Sequence, residues 1–66
     1  MKRDSIKIKG YVGKWYVIDE TMWNGGKVYL LEHETYGDEA ACLIVNEDLS
    51  VVLDDVWNGF EDLEDL

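Results

Sequence analysis

The chain has 66 residues, a mass of 7.6 kDa and a formal charge of −9, from fifteen Asp and Glu against six Lys and Arg. That is one small domain over residues 1–66, with a thin core, because a fold of this size buries only about 60% of the surface its unfolded chain exposes. The charge repels phosphates and anionic lipids and argues against direct nucleic-acid or membrane binding, whereas 47% hydrophobic residues with 12% aromatics is too apolar for a disordered acidic tail.

Residues 5–9 alternate Ile6 and Ile8 with Lys7 and Lys9, the pattern of a half-buried strand, and Gly10 and Gly13 interrupt the chain after it. Residues 14–23, from Lys14 and Trp15 to Trp23, are rich in aromatic and β-branched side chains and read as a second strand. Asn24, Gly25 and Gly26 accept positive φ cheaply and predict a hairpin, with residues 27–34 as the return strand. Residues 35–39 form a turn. Residues 40–45 are apolar on both faces, as expected of a strand covered on both sides and placed centrally. Another turn at 46–50 leads to a strand beginning at Val51, Val52 and Leu53. From Asp55 the pattern changes: Trp57, Phe60 and Leu63 recur at three-residue spacing with acids between them, which predicts a short helical turn that must dock on the sheet.

The fold class that follows is mainly β, α+β at the margin: a single antiparallel meander of four or five strands with a short C-terminal helical turn. Every gap is too short for a crossover helix. Trp15, Ile18, Tyr29, Leu31, Leu43, Val45, Val52 and Leu53 are the expected core, although a one-residue register slip would invert the faces. The string Trp-Asn-Gly occurs at 23–25 and again at 57–59 and reads as two independent turns, each with a Trp ending an ordered segment. An uncapped edge strand would open a route to homodimers by edge pairing.

Catalytic chemistry finds little support. His33 lies between Glu32 and Glu34 on a strand and lacks a partner at a recognisable spacing, so it reads as a strand-surface histidine. Cys42 is the only cysteine and lies in the most apolar run, which predicts an inert, buried thiol and a reducing compartment. Phosphate-loop, dinucleotide and nucleophile-elbow motifs are absent, and the acids lack metal-ligand spacing. The expectation is a protein that is not an enzyme and uses no cofactor or metal.

The charge is unevenly distributed. Residues 1–27 hold all six cations and three anions, a sum of +3, whereas residues 28–66 hold twelve anions and no Lys or Arg, a sum of −12. A surface built for solubility alone mixes both signs. Alternate residues of a strand stand about 6.6 Å apart on one face, and carboxylates so spaced can imitate a nucleic-acid backbone. The candidate partner-binding residues are Asp54, Asp55, Glu61, Asp62, Glu64 and Asp65, with Glu47 and Asp48 in a neighbouring turn and Trp57 and Phe60 as apolar anchors. The bland alternative is a solvated acidic face with both aromatic rings turned inward.

Residues 14–20, 30–41 and 55–60 (Lys14-Trp15-Tyr16-Val17-Ile18-Asp19-Glu20, then Leu30 to Ala41, then Asp55-Val56-Trp57-Asn58-Gly59-Phe60) resemble small acidic proteins of Firmicutes mobile genetic elements, among the large-polyvalent-protein-associated domains. The resemblance covers roughly residues 13–63 and transfers no residue role. It implies a phage, plasmid or conjugative element and therefore the cytoplasm of a bacterial host cell. In that setting, size and charge look like those of an anti-CRISPR or anti-restriction inhibitor, a DNA mimic whose partner is a basic nucleic-acid-binding protein such as a Cas effector or restriction enzyme. The other expectation is a protein–protein interaction or accessory module with no inhibitory role.

Overall fold

A computed structural model describes residues 4–66. Five strands, β1 (Ser5–Ile6), β2 (Trp15–Trp23), β3 (Gly26–His33), β4 (Cys42–Asn46) and β5 (Val51–Val56), form one sheet in chain order. Every neighbouring pair is antiparallel. A 3-10 turn at Gly37–Glu39 precedes β4, and a 3-10 segment at Gly59–Asp65 follows β5. The expected meander is present with five strands, and the C-terminal helical turn is of the 3-10 type.

The hairpin between β2 and β3 is local chemistry. Asn24 and Gly25 have φ of 52° and 82°, the two positive values that a type I′ turn requires. The second Trp-Asn-Gly behaves differently: Asn58 has φ of −110° and only Gly59 is positive, at 65°, so the same three letters lead into the 3-10 segment. The echo is two unrelated turns.

Side chains alternate across β3 and β4 and fill both sides of the sheet. On one face Leu31, Leu43 and Val45 pack with Trp15 and with Ile8, while Tyr11 lies partly buried against them. On the other face Val28, Leu30, Ile44 and Val56 pack with Leu63, and Phe60, Leu53 and Val52 lie against that cluster. β4 is thus apolar on both sides because the N-terminal segment covers one face and the C-terminal 3-10 segment covers the other. The first strand is shorter than the alternation of residues 5–9 predicts. After Ile6 the chain turns, with the Tyr11 N–H donating to the Ile8 carbonyl at 3.0 Å, and this drops Ile8 into the core from a loop.

Ile18 departs from expectation. It is 42% exposed, because the β2–β3 register shifts between Val17 and Asp19 and leaves Ile18 as the extra residue of a bulge. The alternation that would have carried it into the core is broken there. The buried residues outside the expected core are Ile8 on the first face and Val28, Leu30, Ile44, Val56 and Leu63 on the second.

Two stability predictions follow from this packing. The 3-10 segment spans seven residues, longer than such helices run unaided, and its buried contribution to the core is Leu63. Leu63→Ala is expected to cost about 2–4 kcal/mol in urea denaturation, a large share of the roughly 3–10 kcal/mol available to a domain of this length. Leu49 has φ of +69° in the β4–β5 turn, a conformation that costs a non-glycine side chain about 1–2 kcal/mol. Leu49→Gly is therefore expected to raise the denaturation midpoint, with a net gain of about 0.5–1 kcal/mol after the entropy that glycine loses on folding.

Candidate functional site

The acids concentrate where β5 gives way to the 3-10 segment. Val56 is fully buried and anchors the end of β5, while Asp54 and Asp55 before it are exposed. Asp55 has φ of 55°, a left-handed conformation that Asp tolerates better than most residues, and it redirects the chain. Asp54, Asp55, Asp62 and Asp65 then line an open groove of about 400 Å³ with Trp57 and Leu66.

Three of these four carboxylates are held in place. The Tyr11 hydroxyl donates to Asp54 Oδ2 at 2.8 Å. The Trp57 indole N–H donates to Asp55 Oδ1 at 3.1 Å. Asp62 accepts the Trp57 backbone N–H at 3.0 Å, the Asn58 N–H at 3.3 Å and the Asn58 side-chain amide at 3.2 Å. Asp54 and Asp55 each commit one oxygen and retain the other. The hydrogen bond to Asp54, with smaller contributions from desolvation and from the charge itself, raises the Tyr11 pKa above its ordinary value.

The remaining candidates are spread out. Glu61 and Glu64 are exposed on the 3-10 segment but do not line the groove. Glu47 and Asp48 lie in the β4–β5 turn, at the end of the sheet where Lys27 follows the hairpin. Glu47 accepts the Lys27 backbone N–H at 3.3 Å. Asp48 accepts the Ser50 hydroxyl at 2.6 Å and the Ser50 N–H at 3.0 Å, which together hold its pKa below the ordinary carboxylate value. Its role in that turn is structural. The two aromatic anchors also separate: Phe60 packs on the core, whereas Trp57 is 59% exposed.

Lys7, Lys9 and Lys14 line a second groove, of about 500 Å³, with Tyr11, Gly13 and Glu34. The Tyr11–Asp54 bond ties this basic N-terminal surface to the edge of the acidic one. His33 is committed to the fold beside it. The Thr35 N–H donates to Nδ1 at 3.1 Å, so Nε2 carries the proton and donates to the Val12 carbonyl at 3.1 Å. The ring also meets Trp15 edge-on at 5.0 Å. Gly13 has φ of 88°, and a Cβ there would collide with the imidazole, so the loop is fitted to the ring. Cys42 is only partly buried. Its thiol pKa is raised by desolvation and then by Glu32 and Asp38, which disfavours the reactive thiolate. Among the described residues no group of three or more His, Cys, Asp or Glu comes together as a metal site, and no helix is long and apolar enough to cross a membrane.

The family model of Large polyvalent protein-associated domain 18 matches residues 1–65. The chain belongs to this family. No curated protein and no solved structure matches it significantly. The family is associated with large polyvalent proteins, and the surface of this domain, with its acidic groove, basic groove and exposed Trp57, is what such an association has to work with.

Sequence reading placed the acidic cluster of this polyvalent-protein-associated domain but missed the role of Asp62 as a clamp. The one available signal was Asp62 four residues after Asn58, within reach of the amides released where β5 ends. The Trp57 N–H, the Asn58 N–H and the Asn58 side chain, in that order, hold the Asp62 carboxyl below its ordinary value of 3.8. A carboxylate depressed in the folded state stabilises the fold above the unfolded value and loses that contribution as pH falls through the folded one. Asp62→Asn is therefore expected to lower Tm at pH 7. The difference from the wild type should shrink as the pH is taken below 3.8, measured by thermal melts across that range.

Proposed function

We propose that the chain is a non-enzymatic inhibitor of a nucleic-acid-binding protein, of the anti-CRISPR or anti-restriction kind, acting in the bacterial cytoplasm. It occupies a basic nucleic-acid groove with an acidic, DNA-mimicking surface. The observation that carries this reading is the groove of Asp54, Asp55, Asp62 and Asp65 beside Trp57. Carboxylates held by hydrogen bonds lose little freedom on binding, and this favours affinity. No Lys or Arg follows Lys27 in the sequence to neutralise them from the same part of the chain. Arginine- and lysine-lined channels, such as those in which Cas9-type effectors hold their nucleic acids, have the complementary charge. Electrostatic steering would speed the encounter, and salt would weaken it.

A second reading has its own support. The family association with large polyvalent proteins suits an accessory module that docks on another protein by ordinary apolar burial, centred on Trp57, with no inhibitory role.

The test is competition for labelled DNA by a panel of Cas9-type effectors and restriction enzymes. The inhibitor is expected to displace DNA from at least one of them, less effectively as salt rises. The combined Asp54→Asn, Asp55→Asn and Asp65→Asn variant should lose at least about tenfold in potency. No displacement across the panel, together with a protein partner whose binding survives high salt and fails with Trp57→Ala, would establish the accessory module instead.

A further inference from the structure

Lys27 has a carboxylate partner, Glu20 at 3.4 Å, whereas among the described residues Lys7, Lys9 and Lys14 have none. All fifteen acids of the chain lie within the described residues, so these three ammonium groups stay unpaired amid an excess of anions. All three are exposed, and they converge on the groove of about 500 Å³ beside Ile8, Tyr11 and Gly13. Glu34 is the acid in its lining.

The wall of this groove is preformed. The Tyr11 N–H donates to the Ile8 carbonyl at 3.0 Å and the Glu34 N–H to the Lys14 carbonyl at 2.9 Å. Between them His33 holds the Val12 carbonyl at 3.1 Å, and Gly13 is fitted to the imidazole. The Tyr11 hydroxyl is fixed on Asp54 at 2.8 Å. The loop backbone therefore needs little further ordering on binding, and only the lysine side chains have to settle. Val12 is 89% exposed on the same loop, an aliphatic side chain offered to solvent next to the cations.

Unpaired cations call for an anion, and the surroundings narrow its class. Phosphate chains are repelled from afar by the net charge of −9. A segment with a few carboxylates brings less charge, and beyond about 8 Å the repulsion is screened at physiological salt. The groove is open, so a small carboxylate would stay mostly in water, whereas small-molecule sites bury about 70–90% of their ligand. An extended chain gains by repetition instead. Its alternate side chains stand about 6.6 Å apart on one face, so that successive carboxylates meet successive lysines. The Tyr11 ring and Val12 offer apolar contact to the side chains between them.

We propose that this groove is a docking site for an acidic segment of a protein partner, its carboxylates on Lys7, Lys9 and Lys14 and its apolar side chains on Tyr11 and Val12. Glu34 makes the site selective, since a carboxylate placed opposite it is repelled. The proposal is independent of the inhibitor reading: it uses the opposite charge and a different groove, and it gives the domain a second point of attachment.

The probe is a blocked pentapeptide, acetyl-Glu-Leu-Glu-Leu-Glu-amide, titrated into the 15N-labelled full chain and followed by amide chemical shifts. Saturable shifts are expected at Lys7, Lys9, Gly13 and Lys14, with affinity falling as salt is raised. The same peptide with Gln in place of Glu should leave these amides unmoved, and so should succinate at the same concentration. Lys7→Gln with Lys14→Gln should weaken binding about fivefold or more, in a variant whose dispersed spectrum shows that it is folded. Equal shifts from the Gln peptide or from succinate, tighter binding of a short single-stranded DNA at the same amides, or unchanged affinity in the double variant would each overturn the proposal. Concentration-dependent shifts there without any peptide would put a second copy of this chain in the groove and overturn it as well. Loss of this site leaves displacement of DNA from effectors untouched, and failure of that displacement leaves these shifts in place, so the two readings fall separately.

Discussion

The constraint on which this fold depends is burial of both faces of a small sheet. Alternation along β3 and β4 puts Leu31, Leu43 and Val45 on one side and Val28, Leu30 and Ile44 on the other, all of them buried. A lone sheet would leave both of these sets in water, at about 25 cal/mol for each Å² of apolar surface left exposed. The chain answers with its two flanking segments. The N-terminal one supplies Ile8 and Tyr11 to the first face, and the C-terminal one supplies Phe60 and Leu63 to the second. Neither is long enough to be ordered alone. Each is ordered by the face it covers, and each face is dry only because its cover is there.

The placement of charge follows from that arrangement. With both faces occupied, carboxylates are left with strand edges, turns and the outer surface of the 3-10 segment. β5 is an edge strand, and it carries Asp54 and Asp55, a left-handed residue at Asp55 and irregular pairing with β4. Charge and irregularity both discourage another strand from adding there. At the other side, among the described residues β1 pairs with Tyr16 and Trp15, and β2 carries the Ile18 bulge with Asp19 and Glu20 beside it.

How much of this was legible in the sequence depended on whether the determining interaction was local. The Asn24–Gly25 turn, the apolar run at 40–45 and the three-residue spacing of Trp57, Phe60 and Leu63 each encode an element within a few residues, and the meander follows from them. Ile18 was misread because a bulge depends on the partner strand as much as on its own sequence. Trp57 and Phe60 looked equivalent by spacing. They end apart: Trp57 is exposed, whereas Phe60 packs against the cluster that contains Leu63. The acidic cluster was visible as composition, but which acids converge was not, since Glu47 and Asp48 belong to a turn at the opposite end of the sheet.

The carboxylates of the groove have two functions that pull against each other. Asp54, Asp55 and Asp62 accept hydrogen bonds that fasten Tyr11, Trp57 and Asn58, so the segments covering the two faces are tied down by the same acids that give the surface its charge. Like charges gathered in a small domain repel, and a purely solvated cluster would push the 3-10 segment off the sheet. Donors from the chain itself reduce that repulsion without adding a cation, and the surface keeps its negative charge. Tyr11 also packs against the first face, and the Trp57 bond to Asp62 comes from the backbone, so these donors belong to the fold itself. Neutral donors at Tyr11, Trp57 and Asn58 hold three of the four groove carboxylates without neutralising them. Three of the twelve acids in residues 28–66 are held in this way, next to the buried Val56 and Leu63.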